Sequence, residues 1–332
     1  MKHLTVIVPD GQTVLDSIVA PYMLLKRADQ YWQQIGNEQK FKVELAGITK
    51  EVSLYKGLFT VHPQSSLNEI TKTDLIIIPA VQPVVDFPGF IKKNEKITAW
   101  VLEQYKSGAE VVSLCTGAFL LASTGLLAGK RCSTHWGAEN LFRRMFPKVN
   151  LVTDKIITDE HGIYTSGGAF SFLNFLLYLV EKYYDRQTAI YCSKIFEIDI
   201  DRNSQSPFAI FGTQKNHSDE IIKKAQFYLE NNFRERISME NLASTYAIGR
   251  RNFDRRFKKA TGNTPLEYLQ RVKVEAAKKN FESTRKSISE VMYEVGYSDL
   301  KAFRTIFRKI TGLSPVQYRN KYNREAAVNI IQ

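Results

Sequence analysis

The chain has 332 residues, of which 44% are hydrophobic and 24% charged, a balance that suits two or three ordinary globular domains. No apolar run reaches the ~18 residues of a membrane span, and Pro9, Asp10 and Gly11 end the N-terminal apolar run too early for a signal sequence, so neither a membrane-spanning helix nor a signal peptide is expected. The net charge of +12 is uneven: Lys and Arg number 23 against 21 acidic residues over 1–215, but 23 against 13 over 216–332, which points to a C-terminal module that meets a polyanion.

In chain order, "LTVIVP" reads as a strand, "TVLDSIVAPYMLLKRADQYW" as a helix, and "FKVELAGI" and "DLIIIPA" as two further strands. "NEKITAWVLEQYKSG" has helical spacing, and "EVVSLC" is a fourth strand that runs into a Thr-Gly-Ala turn and an apolar helix. "FSFLNFLLYLV", too short to span a bilayer, reads as a buried helix. Apolar strands alternating with helices predict a parallel sheet covered on both faces, an α/β domain of flavodoxin-like type. Ligands in such sheets gather at the carboxyl ends of the strands, where Cys115 lies. With Cys132 and Cys192 it makes three scattered thiols, which fit neither a disulfide framework nor a zinc site. A reducing, cytoplasmic setting follows, with no metal and no cofactor expected.

After Tyr184 the pattern changes. The expected division is a domain over 1–185, a linker over 186–217 that holds one helix, an all-α domain over 218–322, and a tail over 323–332. The all-α part contains a repeat. Phe253, Phe257, Thr261, Gly262, Pro265 and Tyr268 recur fifty positions later as Phe303, Phe307, Thr311, Gly312, Pro315 and Tyr318. Upstream, "IS" at 237–238 matches "IS" at 288–289, one position out of phase. Each copy reads as a short helix, a tight turn and a second helix, the grammar of helix-turn-helix. In the second copy Ser287 and Glu290 form a capping box and Gly296 supplies the turn. The phenylalanine pairs share a buried face. The opposite faces carry Arg250, Arg251, Asp254, Arg255 and Lys258 in one copy, and Lys301, Arg304, Thr305 and Arg308 in the other. Two such units on the basic third predict binding to double-stranded DNA.

"FRTIFRKITGLSPVQYRN" resembles the signature end of the AraC/XylS family of transcription regulators, a likeness that extends over about 217–322. In that family two helix-turn-helix units bridged by a long helix enter successive major grooves. The resemblance places base contacts on Arg251, Asp254 and Arg255, and on Leu300, Lys301, Arg304 and Thr305. It implies promoter DNA, RNA polymerase and a second copy of the chain as partners. Gly249 departs from the Ser that commonly opens the first recognition helix, and Leu300 from a position that is often polar.

"VPDGQTVLDSIVAPYML", "SLCTGAFLLASTGLLAGKRCSTHW" and "YTSGGAFSFLNFLLYLVE" resemble the PfpI-type branch of the class I glutamine amidotransferase-like superfamily. Joined to the AraC-type end, they are similar to the GlxA-type regulators. This resemblance puts Cys115 at the nucleophile elbow and His135 at the pocket histidine. Three uses of the site stay open: thiol catalysis of the amidase or hydrolase class, with His135 as base; a pocket for an unidentified small-molecule effector, lined by Cys115, Thr116, Gly117 and His135; and a purely structural or dimerising role. Against catalysis stand Thr116 where hydrolase-like members often carry His, Met23 where reactive members carry Glu, and the lack of an evident acid to orient His135. The Gly167-Gly168 pair could turn backbone N–H groups toward the crevice or serve a close packing contact.

Overall fold

Strand order decides where the crevice falls. The computed structural model describes residues 1–11, 13–82, 86–202, 204–212, 214–215 and 217–323. These form two compact units that divide between Gln205 and Ser206.

The first unit is built on β1 (Lys2–Val8), β2 (Phe41–Gly47), β5 (Ser65–Ser66), β6 (Leu75–Ile78), β7 (Glu110–Ser113), β10 (Ile157–Glu160) and β11 (Ile163–Ser166). They line up as β10-β11-β7-β6-β1-β2-β5, parallel except for β10 against β11. The five main strands in sequence order thus lie 2-1-3-4-5, the flavodoxin-like winding. β6 is buried at every position, as befits a central strand covered on both faces. A hairpin of β3 (Val52–Leu54) and β4 (Phe59–Val61) and the pair β8 (Arg131–Cys132) and β9 (Asn150–Leu151) stand outside this sheet.

Helices α1 (Asp16–Gln34), α6 (Phe172–Tyr183) and α7 (Arg186–Ile195) cover one face. The other carries α2 (Phe87–Lys93), α3 (Glu95–Lys106), α4 (Ala118–Ser123) and α5 (Glu139–Met145). The apolar run at 170–180 is α6, and its Phe172, Phe175, Leu176, Leu177, Leu179 and Val180 are all buried. The segment 186–217, expected to link the domains, is not free of the first: α7 packs Ala189 and Cys192 into its core, and the chain stays with that unit through Gln205. Among the described residues no helix is long and apolar enough to cross a membrane. Of the expected tail, Asn323 is buried and 324–332 lie outside the described residues.

The second unit is helical: α8 (Glu220–Asn231), α9 (Met239–Thr245), α10 (Arg250–Thr261), α11 (Pro265–Ser283), α12 (Ile288–Glu294), α13 (Leu300–Thr311) and α14 (Pro315–Tyr322). The fifty-residue repeat is a repeat of contacts. Thr261 and Thr311 each donate a hydroxyl to the carbonyl of Phe257 and Phe307, at 2.9 and 2.8 Å. Gly262 and Gly312 end their helices in the left-handed region, at φ 77° and 76°. Tyr268 and Tyr318 each close an edge-on aromatic cluster and donate to Glu230 and Glu282, both at 2.5 Å. The two cores share α11, a rod of about 28 Å at 1.5 Å per residue. It gives Tyr268 and Leu269 to one and Val274, Ala277 and Phe281 to the other.

Upstream the sequence register needs correction. Ser238 and Ser287 both cap the N-termini of their short helices, so the structural equivalents are 49 apart rather than the 51 of the "IS" match. The next caps, Gly249 and Asp299, are already 50 apart. The second turn therefore holds one more residue than the first.

Candidate functional site

β7 ends at Ser113, and the chain reverses at Cys115 with φ 53° before a 3₁₀ turn, Cys115–Gly117, leads into α4. A non-glycine residue in this region is strained, as an elbow requires. Gly117 makes the elbow possible from the other side, since a Cβ there would stand 2.4 Å from the Pro79 carbonyl oxygen and 2.8 Å from that of Ile78. The Thr116 hydroxyl is tied to the same strand end, accepting from Val81 N–H at 3.0 Å and donating to Val81 O at 2.5 Å. Ser166 accepts the Cys115 N–H through its hydroxyl, and Thr134 donates to the Cys115 carbonyl, at 3.2 and 2.9 Å.

A second strained turn faces the elbow. β11 leads through Gly167 and Gly168 to Ala169, at φ 47°, and a 3₁₀ turn over Ala169–Ser171 opens α6. Burial pushes the Cys115 thiol up, only partly offset by the Ala169 and Thr116 N–H groups near the sulfur. The thiol therefore stays protonated at neutral pH. Burial raises Cys132 to about 12 and Cys192 to about 11 in the same way.

His135 is set differently from the base that the sequence suggests. Its Nδ1 accepts the Gly137 N–H at 2.9 Å and caps a 3₁₀ turn, so the proton of the neutral ring sits on Nε2, which can only donate. Burial also lowers its pKa, which keeps the ring neutral. The Gly pair resolves toward packing. A Cβ on Gly168 would enter the His135 ring, and one on Gly167 would press on Gln205 at 3.0 Å. Met23 is 53% exposed on α1, in a groove with Ile195 and Phe196. Of the four expected pocket residues, Cys115 and His135 meet around the Gly168–Ala169 turn, while Thr116 and Gly117 serve the elbow. Gln205 was missed by sequence reasoning. It stands in a polar stretch that reads as linker, yet it is buried with its Oε1 accepting the Gly168 N–H at 3.1 Å.

In the second unit the two candidate faces differ. Phe253, Phe257, Phe303 and Phe307 are fully buried, and Arg251, Arg255, Lys258, Lys301, Arg304, Thr305 and Arg308 are exposed on the far sides. Arg250 and Asp254 are half-buried and engage each other, Nε to both carboxylate oxygens at 2.9 and 3.0 Å. Leu300 packs partly against the second core. Asp299 caps α13 by accepting from the N–H groups of Lys301 and Ala302, whereas Gly249 gives α10 no side-chain cap. Arg256, which points off the candidate face, holds Asp219 at the start of α8 with two bonds of 2.8 and 3.0 Å. Among the described residues no three His, Cys, Asp or Glu gather as metal ligands.

An α/β unit with a cysteine elbow, followed by a helical unit with a tandem repeat, defines the class. Residues 4–182 match the DJ-1/PfpI family, and 242–321 match a helix-turn-helix domain. The chain belongs to the DJ-1/PfpI family. It is similar to the HTH-type transcriptional regulator GbdR of Pseudomonas aeruginosa, 27% identical over 217 residues, which are 64% of this chain and 58% of that protein. The chain thus spans less than two thirds of that relative's length. The HTH-type transcriptional regulator CdhR of the same species is 22% identical over 78% of this chain and 76% of its own. Among solved structures, a Vibrio parahaemolyticus protein described as a transcriptional regulator shares the fold, with TM-score 0.52 and 22% identity, over 58% of this chain and 98% of its own.

Proposed function

We propose that the chain is a sequence-specific transcription regulator that binds duplex DNA through α10 and α13, and whose first unit takes a small-molecule effector at the Cys115 crevice. The observation that carries this reading is the pair of solvent-facing basic helix faces, each backed by a phenylalanine pair sealed in its own core. Arg255 stands opposite Phe253 and Phe257, and Arg304 stands on the exposed flank beside Phe303; both are assigned to base edges, and Lys258 and Arg308 to phosphates. The relatives' names agree with this use. A cytoplasmic setting, a homodimer and contact with RNA polymerase belong to the same reading. The crevice is assigned to binding rather than turnover, because the thiol is held neutral and the neighbouring imidazole offers it no acceptor.

The test is binding of the full chain to fragments of its source genome. Affinity should fall linearly on a log–log salt plot, by several tens-fold or more between about 50 and 200 mM, as displaced counterions require. Binding that ignores salt, or none at low salt, sinks the assignment. Turnover of an amide or ester with a trapped adduct on Cys115 would restore the enzyme reading.

A further inference from the structure

The chain leaves the first unit along the crevice. Asp199 O accepts from the Asn174 side chain, Arg202 donates to Ser171 Oγ at 2.9 Å, and Gln205 Oε1 accepts from Gly168 N–H at 3.1 Å. Three successive anchors thus run back along the start of α6 to the turn that faces the thiol. The backbone beyond is pinned as well, since Gln205 N–H and the Ser204 hydroxyl both donate to Asp154 O, at 3.2 and 2.9 Å.

Gln205 sits at the convergence. Its Nε2 donates to Thr134 O at 2.9 Å and to Lys155 O at 3.2 Å. One end of this amide reaches Cys115 through one residue and the other through two. Through Oε1 it holds Gly168, whose neighbour Ala169 turns its N–H toward the sulfur. Through Nε2 it holds Thr134, whose hydroxyl donates to the Cys115 carbonyl. The next residue, Ser206, begins the second unit. A buried side chain that joins both walls of the crevice, on the last residue before the other unit, is more than a solvated linker requires.

We propose that Gln205 is the positioning residue through which occupancy of the Cys115 crevice is relayed to the chain that enters the DNA-binding unit. A group lodged against the sulfur displaces the Gly168–Ala169 turn, the amide of Gln205 loses its partners, and the segment 199–205 is released. The inference rests on the effector reading of the crevice and needs no knowledge of the effector.

The probe is methyl methanethiosulfonate, which puts a small methylthio group on Cys115, with hydrogen exchange of 199–212 as the readout in the full chain. Labelling the wild type should speed exchange there by about fivefold or more, the size of a typical coupling. Cys115→Ser, which cannot take the label, should show no change. Gln205→Ala should exchange fast without reagent, gain nothing further from it, and label Cys115 faster than wild type, because the Gly168–Ala169 turn over the sulfur has lost its anchor. A merely structural Gln205 would lower the melting temperature and leave the label's effect on 199–212 additive. If Gln205→Ala does not fold, Gln205→Glu keeps the acceptor for Gly168, drops the amide donors, and serves in its place. Unchanged exchange in labelled wild type overturns the proposal, as does a full label effect in the Gln205 variant. Salt-dependent DNA binding by the unlabelled chain is scored separately, so a failed relay is distinguishable from a failed regulator.

Discussion

His135 occupies the space that a side chain on residue 168 would fill: a Cβ on Gly168 would stand 2.1 Å from the imidazole Cδ2 and 2.8 Å from the His135 Cα. The second of those atoms is backbone and cannot swing away. Gly168→Ala is therefore expected to destabilise the first unit by about 1–3 kcal/mol, as overpacking does. Thermal unfolding should show the first unit's transition shifted down and the helical unit's unmoved.

The same burial makes His135 a source of acid sensitivity. Its folded pKa is lowered, so between its ordinary value near 6.5 and that lower value the unfolded chain takes up a proton the folded chain refuses. Stability from this group is complete above about pH 6.5 and drains as pH falls. His135→Asn, which can still cap the following turn, should flatten the slope of melting temperature between about pH 5 and 7 relative to wild type. An unchanged slope would show that the imidazole titrates freely.

Equivalent positions in the two helix-turn-helix turns should respond with opposite sign. Gly296 has φ 75°, and a Cβ there would stand 2.2 Å from the Arg234 carbonyl oxygen. Gly296→Ala should cost about 2–4 kcal/mol and loosen the second copy. Ala247 takes the matching place with φ 54°. Ala247→Gly removes a left-handed Cβ penalty of about 1–2 kcal/mol against a backbone-entropy loss of about half that, so a small net gain is expected. Chemical denaturation of the two variants checks both signs.

Phe257→Ala and Phe307→Ala should each cost about 3–5 kcal/mol, because both rings are fully buried in edge-on aromatic clusters. Arg255→Ala and Arg304→Ala should leave melting unchanged. On the cognate DNA they should cost about 1–3 kcal/mol and relax preference at one position. A loss equal on all sequences would reassign the residue to phosphate.

The α/β winding and the tandem repeat were both legible, because each is written in many positions at once: four Val/Ile/Leu-rich runs, and six identities at one spacing. The crevice was legible only in part. The elbow shows in "SLCTGAF", since a cysteine and a glycine between strand and helix leave few alternatives. Which way His135 turns its nitrogens depends on Gly137 and on the space at Gly168, neither of which has a signature at that distance. β10 (157–160) buries only Thr158, exposes Asp159 and lacks the apolar run of the central strands, so an antiparallel edge strand went unseen. Gln205 was hidden by composition, because "NSQSP" reads as linker whether or not its amide is buried. The register slip before the turns arose because a two-letter match outweighed the caps, which alone fix where a helix begins.

The two outward faces of the repeat are unlike in chemistry as well as in sequence. One presents arginines beside a neutralised Arg250–Asp254 pair; the other presents Lys301, Arg304, Thr305 and Arg308 behind a firm aspartate cap. A single chain carrying both would distinguish a DNA segment from the same segment turned end for end. The footprint of each chain would have a polarity, like an arrow laid on the duplex, and inverting the stretch under one chain alone would weaken its binding even though every base pair is kept.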